Sequence, residues 1–218
     1  MKITSRLVSR LRSWLGAGVV VWAALAALPL TTQAEPVAPD ALIERVSTEV
    51  LDKIKADPQI KAGDFSRISE FVDQSIMPYV NFERMTALAV GRGWREATPE
   101  QRTALTEQFR VLLLRTYSGA LTQVRDETIQ MKRMRGGADE QEVIVRSDIV
   151  GRGEPIQLNY RLEKAGDSWK IFDINVLGVW LIETYRNQFR QIVNDSGVAG
   201  LVKTLTDKNA QYVPGAKS

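Results

Sequence analysis

Hydrophobic side chains recur every three or four positions over much of the first half of the chain and again near its end. This spacing is typical of amphipathic helices. The strongest helix start is Thr98-Pro99-Glu100-Gln101, which combines a capping threonine, a proline at the first helical position and a glutamine three residues after the cap. The predicted helices are 40–56, 65–77, 81–90, 98–124, 179–194 and 198–207.

Between residues 128 and 176 the pattern changes to strict alternation, which predicts strands at 128–134, 142–149, 155–164 and 168–176. Short connections between consecutive strands favour an antiparallel meander. One face of such a sheet is apolar and must be covered, and the helices are the available cover. The pattern therefore predicts an α+β fold, in which helices wrap one face of a four-stranded antiparallel sheet.

The first 34 residues differ from the rest of the chain and predict a secretory signal. Lys2, Arg6, Arg10 and Arg12 give a basic start, an apolar run of about 17 residues follows, and Thr32-Gln33-Ala34 provides small residues for cleavage. An uncleaved membrane anchor is the alternative for this run, whose length is near the lower limit for a membrane span. We expect a single α+β domain at 35–208 and a flexible tail at 209–218.

Charge and composition narrow the function. Four of the 29 basic residues lie in 1–34, which leaves 25 basic against 26 acidic side chains from residue 35 onward. This balance argues against nucleic acid as a partner, since phosphate binding needs a basic surface. The chain has no Cys and no His. A thiol nucleophile, a Ser-His pair and a His-ligated zinc site are therefore impossible, and we expect no cofactor.

Three functions remain open on the residues alone. Asp148 and Asp173 lie on predicted strands, where a carboxylate could act as the base of a small enzyme. Apolar positions on the sheet and on the helix at 98–124 could instead enclose a ligand cavity. They could also pack into a filled core, as in a protein that acts through interactions with other proteins or as a chaperone. The alternation of residues does not separate a cavity from a filled core.

Four segments, in order along the chain, resemble one family. Residues 71–80, FVDQSIMPYV, resemble the VDxxxxPYV segment of the MlaC or toluene-tolerance family of periplasmic phospholipid-binding proteins. Residues 97–121 resemble the long helix of that family and its Thr-Pro entry. Residues 169–189 resemble its last strand with the helix that follows, and residues 196–205 resemble its closing helix.

The resemblance implies a nuclear-transport-factor-like fold with an apolar pocket between sheet and helices, and it implies a carrier rather than an enzyme. The implied role is to shuttle phospholipid through the periplasm, which maintains outer-membrane lipid asymmetry. The implied partners are an inner-membrane ABC transporter complex with its membrane-anchored lipid-binding subunit and an outer-membrane lipoprotein–porin complex. Tyr117, Ile156 and Val179 match pocket positions of the family, and strand alternation or helix position adds further candidates, namely Leu121, Val143, Val145 and Leu158.

Overall fold

The computed structural model describes residues 37–134 and 140–211. The predicted signal at 1–34 lies outside these ranges. The helices are α1 (Pro39–Ala56), α2 (Pro58–Lys61), α3 (Phe65–Ser75), α4 (Phe82–Val90), α5 (Arg92–Glu96), α6 (Pro99–Leu121) and α7 (Leu181–Ala210), with a 3₁₀ turn at Met77–Tyr79. The strands are β1 (Thr128–Met131), β2 (Glu142–Val150), β3 (Ile156–Ala165), β4 (Ser168–Val176) and β5 (Val179–Trp180).

Short polar side chains set the starts of most of the first helices. Asp57, Asp64 and Asn81 each accept hydrogen bonds from backbone N–H groups in the first turn of the helix that follows, namely α2, α3 and α4. At α6 the predicted capping box is present: the Thr98 hydroxyl accepts from the Gln101 N–H, and the Gln101 side chain accepts from the Thr98 N–H. These bonds satisfy N–H groups that have no partner inside the helix.

The sheet is an open antiparallel meander with strand order β1-β2-β3-β4-β5. The register pairs Val145 with Tyr160 and Tyr160 with Ile174, so these side chains share one face, which we call the inner face. The α+β prediction is thereby confirmed, but the predicted number of four strands is wrong, because β5 adds a fifth.

The fifth strand results from a sharp turn at Leu177 and Gly178. Both residues have positive φ, at 52° and 89°, as in the tightest two-residue hairpin turns. The turn returns the chain along β4, so that Val179 pairs with Val176. We predicted that a helix begins at residue 179, but α7 begins at Leu181.

Helix α1 covers one half of the inner face. Leu42, Ile43 and Val46 of α1 form a buried cluster with side chains of the sheet, namely Val143, Val145, Tyr160, Leu162, Trp169 and Ile171. Helices α4, α6 and α7 enclose a second core, in which Phe82, Phe109, Tyr185 and Phe189 are in ring contact. A third cluster joins α3 to α6 through Phe71 and Leu114.

The end of the described chain is helical. Helix α7 is interrupted at Gly197, whose φ of 70° is not helical, and it continues to Ala210. The predicted tail at 209–218 thus begins within α7, and its part from residue 212 lies outside the described residues. Among the helices of residues 37–134 and 140–211, none has both the length and the hydropathy that a membrane span requires.

Candidate functional site

An apolar cavity of about 270 Å³ lies between α3, α6 and the end of β4. Its lining consists of aliphatic, thioether and aromatic side chains, except at Arg110 and Ser118. The lining residues are Val72, Ile76, Met77, Val80, Phe82, Met85, Arg110, Leu113, Leu114, Tyr117, Ser118, Leu121, Ile174, Val176 and Leu181. Such a surface offers very little hydrogen bonding and therefore suits a hydrocarbon ligand.

Helix α6 forms the longest wall of the cavity. From Arg110 to Leu121 its lining residues recur at spacings of three and four, so they form one stripe along the helix. Eleven residues of helix rise by roughly 17 Å, which gives the length of this wall. Opposite the stripe, Ile174 and Val176 belong to the inner face of β4.

One end of the cavity adjoins exposed hydrophobic residues, which we call the apolar rim (Ile156, Leu177 and Val179). Their exposed fractions are 43%, 64% and 57%. Val179 pairs with Val176 of the cavity lining, and Leu177 donates its N–H to the carbonyl oxygen of Gln157 on β3. Tyr117 of the lining is also exposed, at 39%. A grouping of exposed apolar side chains next to an apolar cavity is typical of an entrance for an apolar ligand.

Tyr117 links the cavity to the aromatic core. Its hydroxyl shares a hydrogen bond with that of Tyr185 on α7, which is 6% exposed. Burial raises the pKa of both phenols. Both therefore stay neutral at pH 7, and the cavity wall gains no charge from them.

The other end of the cavity has an ion pair. Arg110 of α6 donates from Nε to Oδ1 of Asp73 on α3 over 3.0 Å, and its Nη2 contacts both oxygens of the same carboxylate. Both side chains are partly exposed. The two ends of the cavity therefore differ in character, one being apolar and the other charged.

The two aspartates considered for catalysis lie away from the cavity lining. Asp173 is fully buried, accepts the N–H groups of Ile174 and Ile182, and pairs with Arg161 at 2.9 Å. Burial raises the pKa of this carboxyl, against the opposing effects of those N–H groups and of Arg161. Its Oδ1 thus holds the start of α7 to β4, and its Oδ2 is engaged by Arg161 of β3.

Asp148 pairs with Lys132 at 2.8 Å and lies on β2 one residue out of phase with the inner-face positions Val143 and Val145. Its side chain is therefore on the outer face of the sheet.

Within the described ranges, no group of three or more Asp, Glu, His or Cys side chains could hold a metal ion.

The seven residues predicted to contact lipid fall into three places. Tyr117 and Leu121 line the cavity. Ile156 and Val179 belong to the apolar rim. Val143 and Val145 are buried beneath α1, and Leu158 packs partly buried against the same cluster. The structure thus brings the first four to the cavity or to its edge, whereas the other three contribute to the core under α1. Lipid contact by any of them stays a prediction.

Most of the lining was not predicted as a site. Val72 of α3 and Ile76, which directly follows α3, have the pattern of ordinary core positions, although they lie in the VDxxxxPYV-like segment that carried the resemblance. Ile174 and Val176 show the same alternation that strand residues over a filled core would show. The sequence does not show how far α1 extends over the sheet. The position of α1 decides which inner-face residues it buries and which ones border the cavity.

Comparisons with known proteins agree with this geometry. The profile of a family described as MlaC protein matches residues 44–207. The Haemophilus influenzae intermembrane phospholipid transport system binding protein MlaC is 23% identical over 208 residues, which are 94% of this chain and 96% of that protein. The toluene tolerance protein ttg2D of Pseudomonas putida is 25% identical over 175 residues, which are 79% of this chain and 80% of that protein.

A solved structure extends the comparison to a bound ligand. The phospholipid-binding protein from Ralstonia solanacearum, determined in complex with a phospholipid, is 43% identical to this chain. The two structures superpose with a TM-score of 0.78, over 80% of this chain and 98% of that one. A cavity with an apolar lining and an apolar entrance is therefore found in a chain whose structural relative holds a lipid.

Proposed function

This chain belongs to the MlaC family, and from that membership we propose that it binds phospholipid and carries it between membranes. The observation that supports the proposal most directly is the cavity between α3, α6 and β4, whose lining is apolar apart from Arg110, Ser118 and the hydroxyl group of Tyr117. In this proposal the acyl chains lie in the cavity, and the polar head group stays in water outside it.

The free energy of hydration gives the reason for a carrier. Each methylene group costs about 0.8 kcal/mol to expose to water, so a lipid with two chains leaves a bilayer very rarely by itself. A protein that covers the chains lowers this barrier and needs to make or break no covalent bond. Such a function needs no cofactor and no nucleophile, in keeping with a chain that lacks Cys and His.

The place of action in this proposal is the periplasm, and residues 1–34 are the export signal. The carrier exchanges phospholipid with two membrane complexes and thereby maintains outer-membrane lipid asymmetry. One is an inner-membrane ABC transporter complex with a membrane-anchored lipid-binding subunit, and the other is an outer-membrane lipoprotein–porin complex. The apolar rim supports an exchange of this kind, because it places hydrophobic side chains around the point where an acyl chain would leave.

Native mass spectrometry of residues 35–218, followed by organic extraction, tests the proposed cargo. We expect a stoichiometric mass increment that extracts as phospholipid. A bare polypeptide mass that stays unchanged after incubation with phospholipid vesicles would contradict the proposal. The function as a protein-interaction partner or chaperone would then be favoured.

Val179→Glu tests whether lipid covers the apolar rim. Val179 is exposed in this structure, so the glutamate can remain hydrated and the domain is expected to fold. A lipid that lies over this position would bury the new charge, so we expect phospholipid occupancy to fall at least several-fold. The measurement is the lipid-to-protein ratio after purification, with circular dichroism as the check on folding. Wild-type occupancy in the folded variant would show that lipid does not cover Val179.

A further inference from the structure

We propose that the Arg110–Asp73 ion pair, together with Met77 and Phe82, is the end wall of the acyl-chain cavity and sets the longest chain that the protein accepts. This proposal rests on the function proposed above, since it concerns the same cavity. It assigns a role in cargo specificity to two charged residues that are not part of the apolar rim.

The position of the wall follows from two neighbouring hollows. A groove of about 660 Å³ lies along the first half of α6, beside α4 and α5. Met77, Phe82 and Arg110 line both this groove and the apolar cavity. The groove differs in chemistry, because it also presents charged side chains, among them Glu83, Arg102 and Glu107. The three shared residues thus separate a hydrocarbon compartment from a polar one.

The distance to this wall matches an acyl chain. The α6 stripe from Leu121 to Arg110 is roughly 17 Å long. The hydrocarbon core of a bilayer is about 30 Å thick, so a chain of one leaflet extends over about 15 Å. A chain that enters at the Leu121 end of the stripe therefore brings its methyl end close to Arg110. Acyl chains of ordinary membrane length would fit between the entrance and the wall, whereas longer chains would be too long for the cavity.

The chemistry of the ion pair makes the wall selective. Arg110 is held by both oxygens of the Asp73 carboxylate, which fixes the position of the guanidinium in the cavity wall. A methylene group pressed against this pair would remove water from two charges and offer no hydrogen bond in return. Phe82 supports the wall from the core, since its ring lies 5.6 Å from that of the fully buried Phe109. The additional methylene groups of a longer acyl chain are therefore not buried in the wild-type protein.

The double substitution Arg110→Ala with Asp73→Ala removes the wall and leaves neither charge without its partner. The delipidated protein is incubated with vesicles of phosphatidylglycerol that carry equal amounts of sixteen-, eighteen- and twenty-carbon monounsaturated chains, and bound lipid is identified by mass spectrometry. In the double variant we expect the ratio of the longest to the shortest bound lipid to rise by about tenfold over wild type, because the additional methylenes become buried.

Two further variants make the test specific. Leu113→Trp enlarges a lining residue one turn inside the wall, so it should shift the bound lipid towards shorter chains. Arg152→Ala with Asp126→Ala removes a more exposed ion pair, which has the same Nε contact of 3.0 Å but lies outside both hollows. This variant should keep the wild-type distribution.

The outcomes separate this proposal from the one it rests on. Opposite shifts in the Arg110–Asp73 double variant and in Leu113→Trp support the wall. A wild-type distribution in either lipid-loaded variant overturns it, and so does a shift as large in the Arg152–Asp126 control. If wild-type protein takes up no phospholipid from any vesicle, the proposed function itself fails.

Discussion

Replacing Val176 by glutamate is expected to abolish phospholipid binding while the domain stays folded. Val176 lies on β4 at the junction of the cavity and the apolar rim, and its side chain is partly exposed in this structure. Without lipid the new carboxylate can be reached by water. With lipid it would be surrounded by acyl chain, and an uncompensated charge in such a place costs several kcal/mol. We expect the affinity for phospholipid to fall by at least about a hundredfold.

Ile144→Glu is the matched control for Val176→Glu. Ile144 is 37% exposed and lies on β2 among the polar outer-face residues Glu142 and Arg146, so the same substitution there should leave lipid binding unchanged. Binding of vesicle-derived phospholipid to the two delipidated variants is compared by native mass spectrometry. Equal occupancy of both variants would mean that the cavity beside β4 is not the lipid site.

Phe109→Ala is expected to cause the largest loss of stability among single substitutions in the helical core. The Phe109 ring is fully buried and makes edge contacts with Tyr185 at 4.9 Å and Phe189 at 5.2 Å. It therefore joins α6, which forms the cavity wall, to α7. Truncation of such a ring leaves a void that the rigid helices cannot close, and it should lower the free energy of unfolding by about 3–5 kcal/mol.

Guanidinium chloride unfolding of delipidated protein measures this loss. Delipidation is necessary because a ligand that binds only the folded state adds to the apparent stability. Phe65→Ala at the partly buried start of α3 provides the comparison, and we expect it to cost less than half as much. A loss at Phe109 no greater than that at Phe65 would contradict the central role of the aromatic cluster.

The α+β fold class could be predicted from the sequence, because the short-range signals for each helix and strand agree with the hydrophobic pattern of the whole chain. Alternation along β3 and helical spacing along α6 each depend on neighbouring residues, and the capping box at Thr98 is a local hydrogen-bond pattern. The strand at Val179–Trp180 was missed for the opposite reason. It depends on a positive φ at Leu177. Leucine rarely adopts this conformation, so a leucine in the sequence does not predict it.

The cavity was only partly predictable. Tyr117 was predicted from the family resemblance and Leu121 from its place on the same helix, and both line the cavity. Val143 and Val145 have the same alternation as true lining residues, yet they lie beneath α1. Burial by a helix and burial by a ligand impose the same pattern on a strand, so residues alone do not distinguish them. The Arg110–Asp73 pair joins positions 37 residues apart, and only the packing of α3 on α6 shows that they meet.

The inner face of the sheet has two halves, one that packs against α1 and one that borders the cavity. Under α1 the face is sealed by Leu42, Ile43 and Val46, and substitutions there act on folding. Beyond α1 the face borders the cavity, where side chains have neighbours on only one side. Under the proposed function, changes in that half are expected to alter the bound lipid with a smaller loss of stability than changes under α1. A designer could therefore vary the residues of that half to change which lipid the proposed carrier binds, while leaving the half under α1 untouched.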